Sequence, residues 1–507
     1  MRAPTRRLAG RRRQAALPAV LGAAAVYLCA NLFAFPNIPY LLGGDQIFFW
    51  VYAQRMLLGE RIYQDFFDFK PPGTNLVYLA LFKLFGVQIW VTNVAVLLLG
   101  VTLCWLCFSI ARRLIRIDLA SLTTFLFLVF IYGKLLNATH HWFSVLLVLC
   151  AVRMVMPKRT PARIAVAGAL LAVASYFTQT AGVSGLLAFL LSLAWEGSLK
   201  KAWRATFQSQ ALLVATFGLS LFVLNIFLIE KIGWRQLWYL EVVYPHYLAY
   251  WFGKWFPGLP EPLAWHRLPR LVPYLFIYVL LPVIYPGVLW YCWRNRRNPA
   301  VPTVVLVLLS STGLFLLLQI LPGVNWLRVY CVSMPGIILL VWAVTHTPKW
   351  RSCTAAFGWI AVAGMAAGST WSKHAHPQVA VTFPAGKAIV TAQKSDKFLW
   401  LLQHTKPGEY LFQPAWPEAY LPLGVRNPAF VDSIIPNEIT RPELVDMAVA
   451  ELNRRQVKYV VWSPELNTPD DPARPREYYV GPLRDYLAMH YKRVLVFRDG
   501  DEVWQRN

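Results

Sequence analysis

The chain has 507 residues, of which 57% are hydrophobic, 15% aromatic and only 15% charged, and its mean hydropathy is +0.44. That balance excludes an ordinary soluble protein, in which about a quarter of the residues are charged, and describes a polytopic membrane protein. The net charge of +24 lies almost entirely before residue 371, in the apolar part, where it orients helices and meets anionic lipid rather than nucleic acid.

Arg2, Arg6, Arg7, Arg11, Arg12 and Arg13 precede an apolar run from Ala15 to Phe35. The run is too long for a signal-peptide core and predicts an uncleaved first transmembrane helix with its N-terminus in the cytoplasm. The loop that follows, 36–73, carries Asp45, Glu60, Asp65 and Asp68, four of roughly nine acids in the first 371 residues. Carboxylates beside lipid are costly unless they are used, so this loop is where chemistry is sought first. Pro71-Pro72 cannot continue a helix, so 74–86 reads as a separate short helix at the outer interface. Phe48, Phe49, Trp50 and Tyr52 read as another interfacial helix.

Further apolar runs fall at 87–111, 119–135, 138–156, 163–180, 182–195, 207–229, 271–293, 301–321, 324–346 and 353–371, which with the first gives about eleven crossings. Arg112, Arg113 and Arg116; Arg153, Lys158, Arg159 and Arg163; Lys200, Lys201 and Arg204; Arg294, Arg296 and Arg297; and Lys349 with Arg351 all fall on alternate connections. They mark one cytoplasmic side, which leaves the loop 36–73, the connection near 136–141 and the long loop 231–270 outside. That long loop is rich in Trp, Tyr and Pro and reads as an aromatic belt or as a lid over a lipid or sugar site. The seven cysteines sit in apolar segments; Cys104 and Cys107, despite their spacing, read as small core residues, and no disulfide or metal site is implied.

After Trp371 the composition becomes that of a soluble domain. Ser395 to Gln403 and Arg441 to Gln456 read as amphipathic helices, and Tyr410–Phe412, Val457–Trp462 and Arg493–Phe497 as strands. The expected organisation is a basic N-terminus (1–14), a transmembrane module (15–371) and an outer, periplasmic α/β domain (372–507), in the inner membrane.

A carboxylate can take the proton of an attacking hydroxyl, a lysine can hold a phosphate, and aromatic faces can pack on sugars or an isoprenoid chain. Those groups together suit glycosyl transfer from a lipid phosphate. Asp45, then Gly59-Glu60-x-x-Tyr63-x-Asp65, then Lys70-Pro71-Pro72-Gly73 and a short apolar helix ending in Phe85-Gly86 resemble the first outer loop of GT-C glycosyltransferases. The similarity is to the bacterial branch related to protein O-mannosyltransferases, lipid A aminoarabinose transferases and rhizobial lipopolysaccharide core transferases. Asn325 to Tyr330 with Pro335, and Val457 to Trp462, resemble a late-helix segment and an outer-domain strand of the same family.

The resemblance implies an inverting transfer from a polyprenyl-phosphate sugar to an acceptor hydroxyl on a glycan, lipid or protein. It assigns Asp45 as base or acceptor-orienting group and Lys70 to the donor phosphate. Arg328, at an outer helix end, is a second phosphate partner, and Tyr63, Asp65, Asp68, His140 and His141 are candidates for substrate binding. Where GT-C relatives often carry a further acid, this sequence has Asn137-Ala138-Thr139-His140-His141. No cofactor is called for, and a divalent metal requirement is left open.

Each assignment has a plainer counterpart. Asp45 could cap the helix starting near Gln46, Asp65 and Asp68 could solvate the loop or pair with Arg55 or Arg61, and Lys70 and Arg328 could anchor at the interface. A transporter or flippase, or a noncatalytic protein binding a lipid-linked sugar, is the rival class. A transporter would carry mid-membrane polar residues and paired repeats, whereas here helix interiors are mainly apolar, no clear repeat is seen and the charges gather at one face.

Overall fold

The computed structural model describes residues 3–34, 37–245, 275, 279–346, 348–435, 441–468 and 479–507, with side chains from residue 15 onward except 322 and 348–351. Of the long loop 231–270, residues 246–270 lie outside the described residues, as does the start of the run 271–293.

Each of the eleven apolar runs holds a helix, because an apolar segment in lipid must satisfy its backbone internally. The first is α1 (Ala3–Leu32), followed by the short antiparallel pair β1 (Phe33–Ala34) and β2 (Ile38–Pro39). The first outer loop then forms α2 (Gln46–Leu57) and α3 (Gly73–Phe85). Next come α4 (Ile89–Ala111), α5 (Ile117–Phe130), α6 (His140–Val155) and α7 (Pro161–Ser175). They are followed by α8 (Gln179–Lys200), α9 (Trp203–Ile232) and the short α10 (Trp234–Trp238). The remainder are α11 (Leu281–Arg294), α12 (Thr303–Leu318), α13 (Trp326–Val332), α14 (Met334–His346) and α15 (Pro348–Ala375).

Among the described residues six helices are long and apolar enough to cross a membrane, or seven if α13 and α14, bent by 57°, are one span. The sequence predicts about eleven. The difference lies in length: α6, α7 and α12 have 16, 15 and 16 residues, and at 1.5 Å per residue each falls short of a ~30 Å hydrocarbon core. The bend between α13 and α14 has a local cause in Pro335, which cannot donate to the helix and clashes with the carbonyl four residues back. The bundle's outward face is apolar: α9 exposes Phe207, Phe222 and Phe227, and α15 exposes Phe357 and Ile360. Cys104 and Cys107 are buried in the core, as their reading as small core residues expects.

The C-terminal residues begin with a hairpin of β3 (Gln378–Phe383) and β4 (Gly386–Thr391), whose turn needs the positive φ of Gly386. There follow α16 (Ala392–His404), β5 (Leu411–Phe412), α17 (Tyr420–Leu423), α18 (Pro442–Arg454), β6 (Tyr459–Trp462), α19 (Gly481–His490), β7 (Tyr491–Val496) and β8 (Glu502–Arg506). The sheet order is β5-β6-β8-β7, with β5 and β6 parallel and the other pairs antiparallel.

This layer is hydrogen-bonded to the first outer loop. Leu41 N donates to Ile389 O (2.8 Å), Phe67 N to Phe430 O (2.8 Å) and Ile89 N to Ala385 O (2.9 Å). The buried Arg55 pairs with Glu60 at 2.6 Å and Asp432 at 3.1 Å, and also donates to Ala429 O and Asp65 O. The helix α2 is therefore not interfacial. Phe49 and Trp50 are fully buried, Phe49 against Tyr52 and His140 and Trp50 against Tyr78, while Phe48 meets Trp416 of the C-terminal layer.

Candidate active site at the first outer loop

Asp45 precedes α2 and follows Gly44, whose φ of +77° turns the chain into the helix. Its carboxylate makes no capping bond, so the plain capping role is not the one it plays. The next residue, Gln46, is buried and works as a tie: it donates to Gly43 O (3.0 Å) and accepts from Ala138 N (3.1 Å). That tie brings the second outer hairpin under α2, where the His140 ring lies 5.3 Å from Phe49 and 3.9 Å from His141. His140 is buried, and its Nδ1 has no hydrogen-bond partner.

Lys70 is set by its backbone. Asp68 is buried and accepts from Phe69 N (2.8 Å), Lys70 N (3.0 Å) and Asn75 Nδ2 (3.0 Å), while Tyr63 donates its hydroxyl to Lys70 O at 2.6 Å. Burial pushes the Asp68 carboxyl up against the opposing pull of Lys70 and Asn75. Tyr63 itself holds a left-handed φ of 69°, a strained choice for a non-glycine residue. Downstream, Gly73 is needed because a Cβ there would meet Tyr176 O at 2.5 Å. The Lys70 ammonium lies over the rings of Phe69 (4.3 Å) and Phe49 (5.6 Å), a cation–π setting. Among the described residues no carboxylate lies within ion-pair distance of it.

Lys70 and Arg328 both act electrostatically on His140 and His141, and Asp45 and Arg328 both act on Cys331. Asp45, Lys70, Arg328 and the histidine pair thus share one neighbourhood. Arg328 is oriented by Asn325, which caps α13 through Arg328 N (2.9 Å), and by Gly323 O, to which Nη1 donates (2.8 Å).

Asp65 stands apart. Both of its oxygens are taken by Arg61, at 2.9 Å and 3.1 Å, and these bonds hold its carboxyl below the usual range. Glu241 belongs to the long outer loop 231–270, and the structure brings it to the first loop. It accepts from the Tyr63 hydroxyl at 3.2 Å, and burial pushes its carboxyl up to about 7. Its isolation within an aromatic stretch, Trp238-Tyr239-Leu240-Glu241, was the available signal.

Beside Gly43 and Gly44 a cleft of about 340 Å³ opens toward the C-terminal layer. Its wall holds the fully buried Lys397, whose ammonium lies 2.5–2.6 Å from Glu418, Asp499 and Asp501. Burial opposes that charge, but the three carboxylates outweigh it and raise the Lys397 pKa. These acids are close enough together to hold a metal ion, and Lys397 supplies the cation among them. At the rim Trp416 donates its indole N–H to Glu465 (3.2 Å).

No protein-family profile and no curated protein sequence matches the chain. Solved structures do. The chain is similar to ArnT from Cupriavidus metallidurans bound to undecaprenyl phosphate, at 15% identity and a TM-score of 0.59, over 96% of this chain and 97% of that one. It is also similar to the Archaeoglobus fulgidus oligosaccharyltransferase in complex with zinc and sulfate, at 14% identity and a TM-score of 0.51, over 96% of this chain and 73% of that one. The chain shares the fold of these two structures. In it Asp45, whose carboxylate has no hydrogen bond or ion pair among the described residues, and Lys70 lie on the first loop between the bundle and the C-terminal layer.

Proposed function

We propose that this chain is an inner-membrane GT-C glycosyltransferase that moves a sugar from a polyprenyl-phosphate donor to an acceptor hydroxyl on the outer face, with inversion. The reading keeps about eleven crossings, a cytoplasmic N-terminus and an outer α/β domain over 372–507. It is carried by one observation. Asp45 is the first-loop acid without a hydrogen bond or ion pair among the described residues, it acts on Cys331 together with Arg328, and Lys70 on the same loop rests on the rings of Phe69 and Phe49. Asp45 accepts the proton of the attacking hydroxyl as that oxygen closes on the anomeric carbon. Lys70 and Arg328 stabilise the phosphate as it leaves on the opposite side. No acid is needed to protonate such a leaving group. The orphaned His140 Nδ1 is oriented to bond a donor or acceptor oxygen, while Tyr63 and Asp68 hold the Lys70 turn in place. The cleft at Gly43 and Gly44 lets the acceptor's sugar or polar head approach Asp45 along Trp416.

The test is sugar transfer in membranes from cells with and without the protein, read by mass spectrometry of envelope glycoconjugates. Asp45→Asn is expected to abolish the product, by roughly a hundred- to ten-thousandfold, while retaining donor binding; Lys70→Gln should weaken donor binding itself. Full activity in Asp45→Asn would remove the proposal. A lipid-linked sugar that changes leaflet with no glycoconjugate altered would favour a flippase.

A further inference from the structure

The helices that converge on the first loop also have far ends, and these carry a second, differently built pocket. α4 starts beside the loop and ends at Ala111, followed by Arg112 and Arg113; α6 starts at His140 and carries Arg153 in its last turn; α14 follows the Arg328 helix and ends at His346. At 23 residues α4 separates its two ends by ~34 Å, about the thickness of a bilayer's hydrocarbon core.

Between those far ends lies a pocket with about 410 Å³ of open space, lined by Arg113, Arg116, Leu119, Trp342, Thr345 and His346. Arg153 lies within electrostatic reach of Arg112, Arg113 and Arg163, so five guanidinium groups crowd this end of the bundle. Among the described residues the one carboxylate paired with any of them is Asp118, 3.2 Å from Arg116. Arg153 Nε is buried and has no hydrogen-bond partner. Crowded like charges cost stability unless an anion offsets them.

The lining is amphipathic as well as basic. Leu119 and Trp342 are buried in its lining, and the Trp342 ring packs 5.5 Å from each of the Tyr291 and His346 rings, which are 6.3 Å from one another. Val344 and Met154, on the same helix ends, are exposed apolar residues. A free phosphate would satisfy the arginines and leave this apolar surface bare; a lipid headgroup with its attached chains meets both.

We propose that this pocket is a binding site for an anionic phospholipid headgroup, on the face of the membrane opposite the candidate active site, and that a lipid with two phosphodiesters fills it best. Basic pockets between helices at the cytoplasmic side suit such headgroups. The site is independent of the glycosyl-transfer reading, since none of its residues adjoins Asp45 or Lys70.

The experiment is native mass spectrometry of the full-length protein, released from detergent and titrated with cardiolipin, phosphatidylglycerol, phosphatidylethanolamine and inorganic phosphate. Cardiolipin is expected to bind most tightly, then phosphatidylglycerol, with phosphatidylethanolamine weakest. Arg113→Gln with Arg116→Gln should lower cardiolipin affinity roughly thirtyfold, at about fivefold per residue. Arg113→Lys with Arg116→Lys preserves the charge that orients the helices and should lose only part of that affinity, because lysine cannot bond phosphate bidentately. Equal affinity for anionic and zwitterionic lipids, or undiminished cardiolipin binding in the Gln variant, would overturn the proposal. Displacement of cardiolipin by inorganic phosphate at equal concentration would show a free-anion site and overturn it as well.

Discussion

Two charged clusters lie on either side of Gly43 and Gly44, and they are built in opposite ways. Around Lys397 every charge is answered: one buried ammonium, three carboxylates within 2.6 Å, and Lys394 pairing with the outer oxygen of Glu418. Around Asp45 the charges are left open among the described residues, with a carboxylate that makes no hydrogen bond or ion pair there and a lysine resting on two aromatic faces. The first arrangement locks a fold, because removing any member strands a buried charge. The second leaves groups that the proposed glycosyl transfer would use. Proximity in space therefore does not make the acidic residues of this face equivalent, and the hydrogen-bond inventory separates them where distance alone would not.

Four substitutions sharpen that contrast. The largest effect on activity belongs to Asp45→Asn, which should lose transfer and leave the melting temperature unchanged, because no bond is removed. The largest effect on stability belongs to Lys397→Met. It leaves Glu418, Asp499 and Asp501 facing one another and should cost about 3–5 kcal/mol, read as a fall in the thermal unfolding midpoint; an unchanged midpoint would mean that the trio is solvated. Glu241→Gln should act through pH. The Glu241 carboxyl sits at about 7 in the fold against an ordinary 4.5, so the folded chain keeps a proton that the unfolded chain releases. Stability attributable to this group therefore falls as pH rises from 4.5 to 7, and the Gln variant should show a shallower decline of unfolding midpoint across that window. A slope identical to the parent's would show that Glu241 is solvated. Asp65→Asn should do least, within about 1 kcal/mol, because Asp65 pairs with the exposed Arg61; a large loss of activity there would place Asp65 at the substrate after all.

Much of the architecture is written locally. Among the described residues each apolar run holds a helix, though fewer of them are long enough to cross a membrane than the run count predicts; Pro71-Pro72 predicts the start of α3 at Gly73, and amphipathic spacing predicts α16 and α18 to within a few residues. The hairpin of β3 and β4 escaped notice although Gln378 to Phe383 alternates and a Pro-Ala-Gly turn follows. What the sequence hides is contact across distance. Arg55 and Asp432 are 377 positions apart, and Lys397 and Asp501 are 104 apart, and no periodicity announces either pair. For that reason α2, whose Phe-Phe-Trp run looks like a headgroup anchor, is in fact a buried strut. The same blindness applies to Glu241, which is tuned by the Tyr63 hydroxyl from a loop 178 positions away.

The bonds from Leu41, Phe67 and Ile89 to Ile389, Phe430 and Ala385 carry a consequence in time as well as in space. The first outer loop is among the earliest parts of the chain to leave the ribosome, yet the strands and carbonyls that clamp it and the start of α4 are made about three hundred residues later or more. During synthesis Leu41 N and Phe67 N lack these carbonyl partners. The end of the molecule that holds the first outer loop is assembled last, when the C-terminal layer closes onto a loop that has been waiting since the first helix was made.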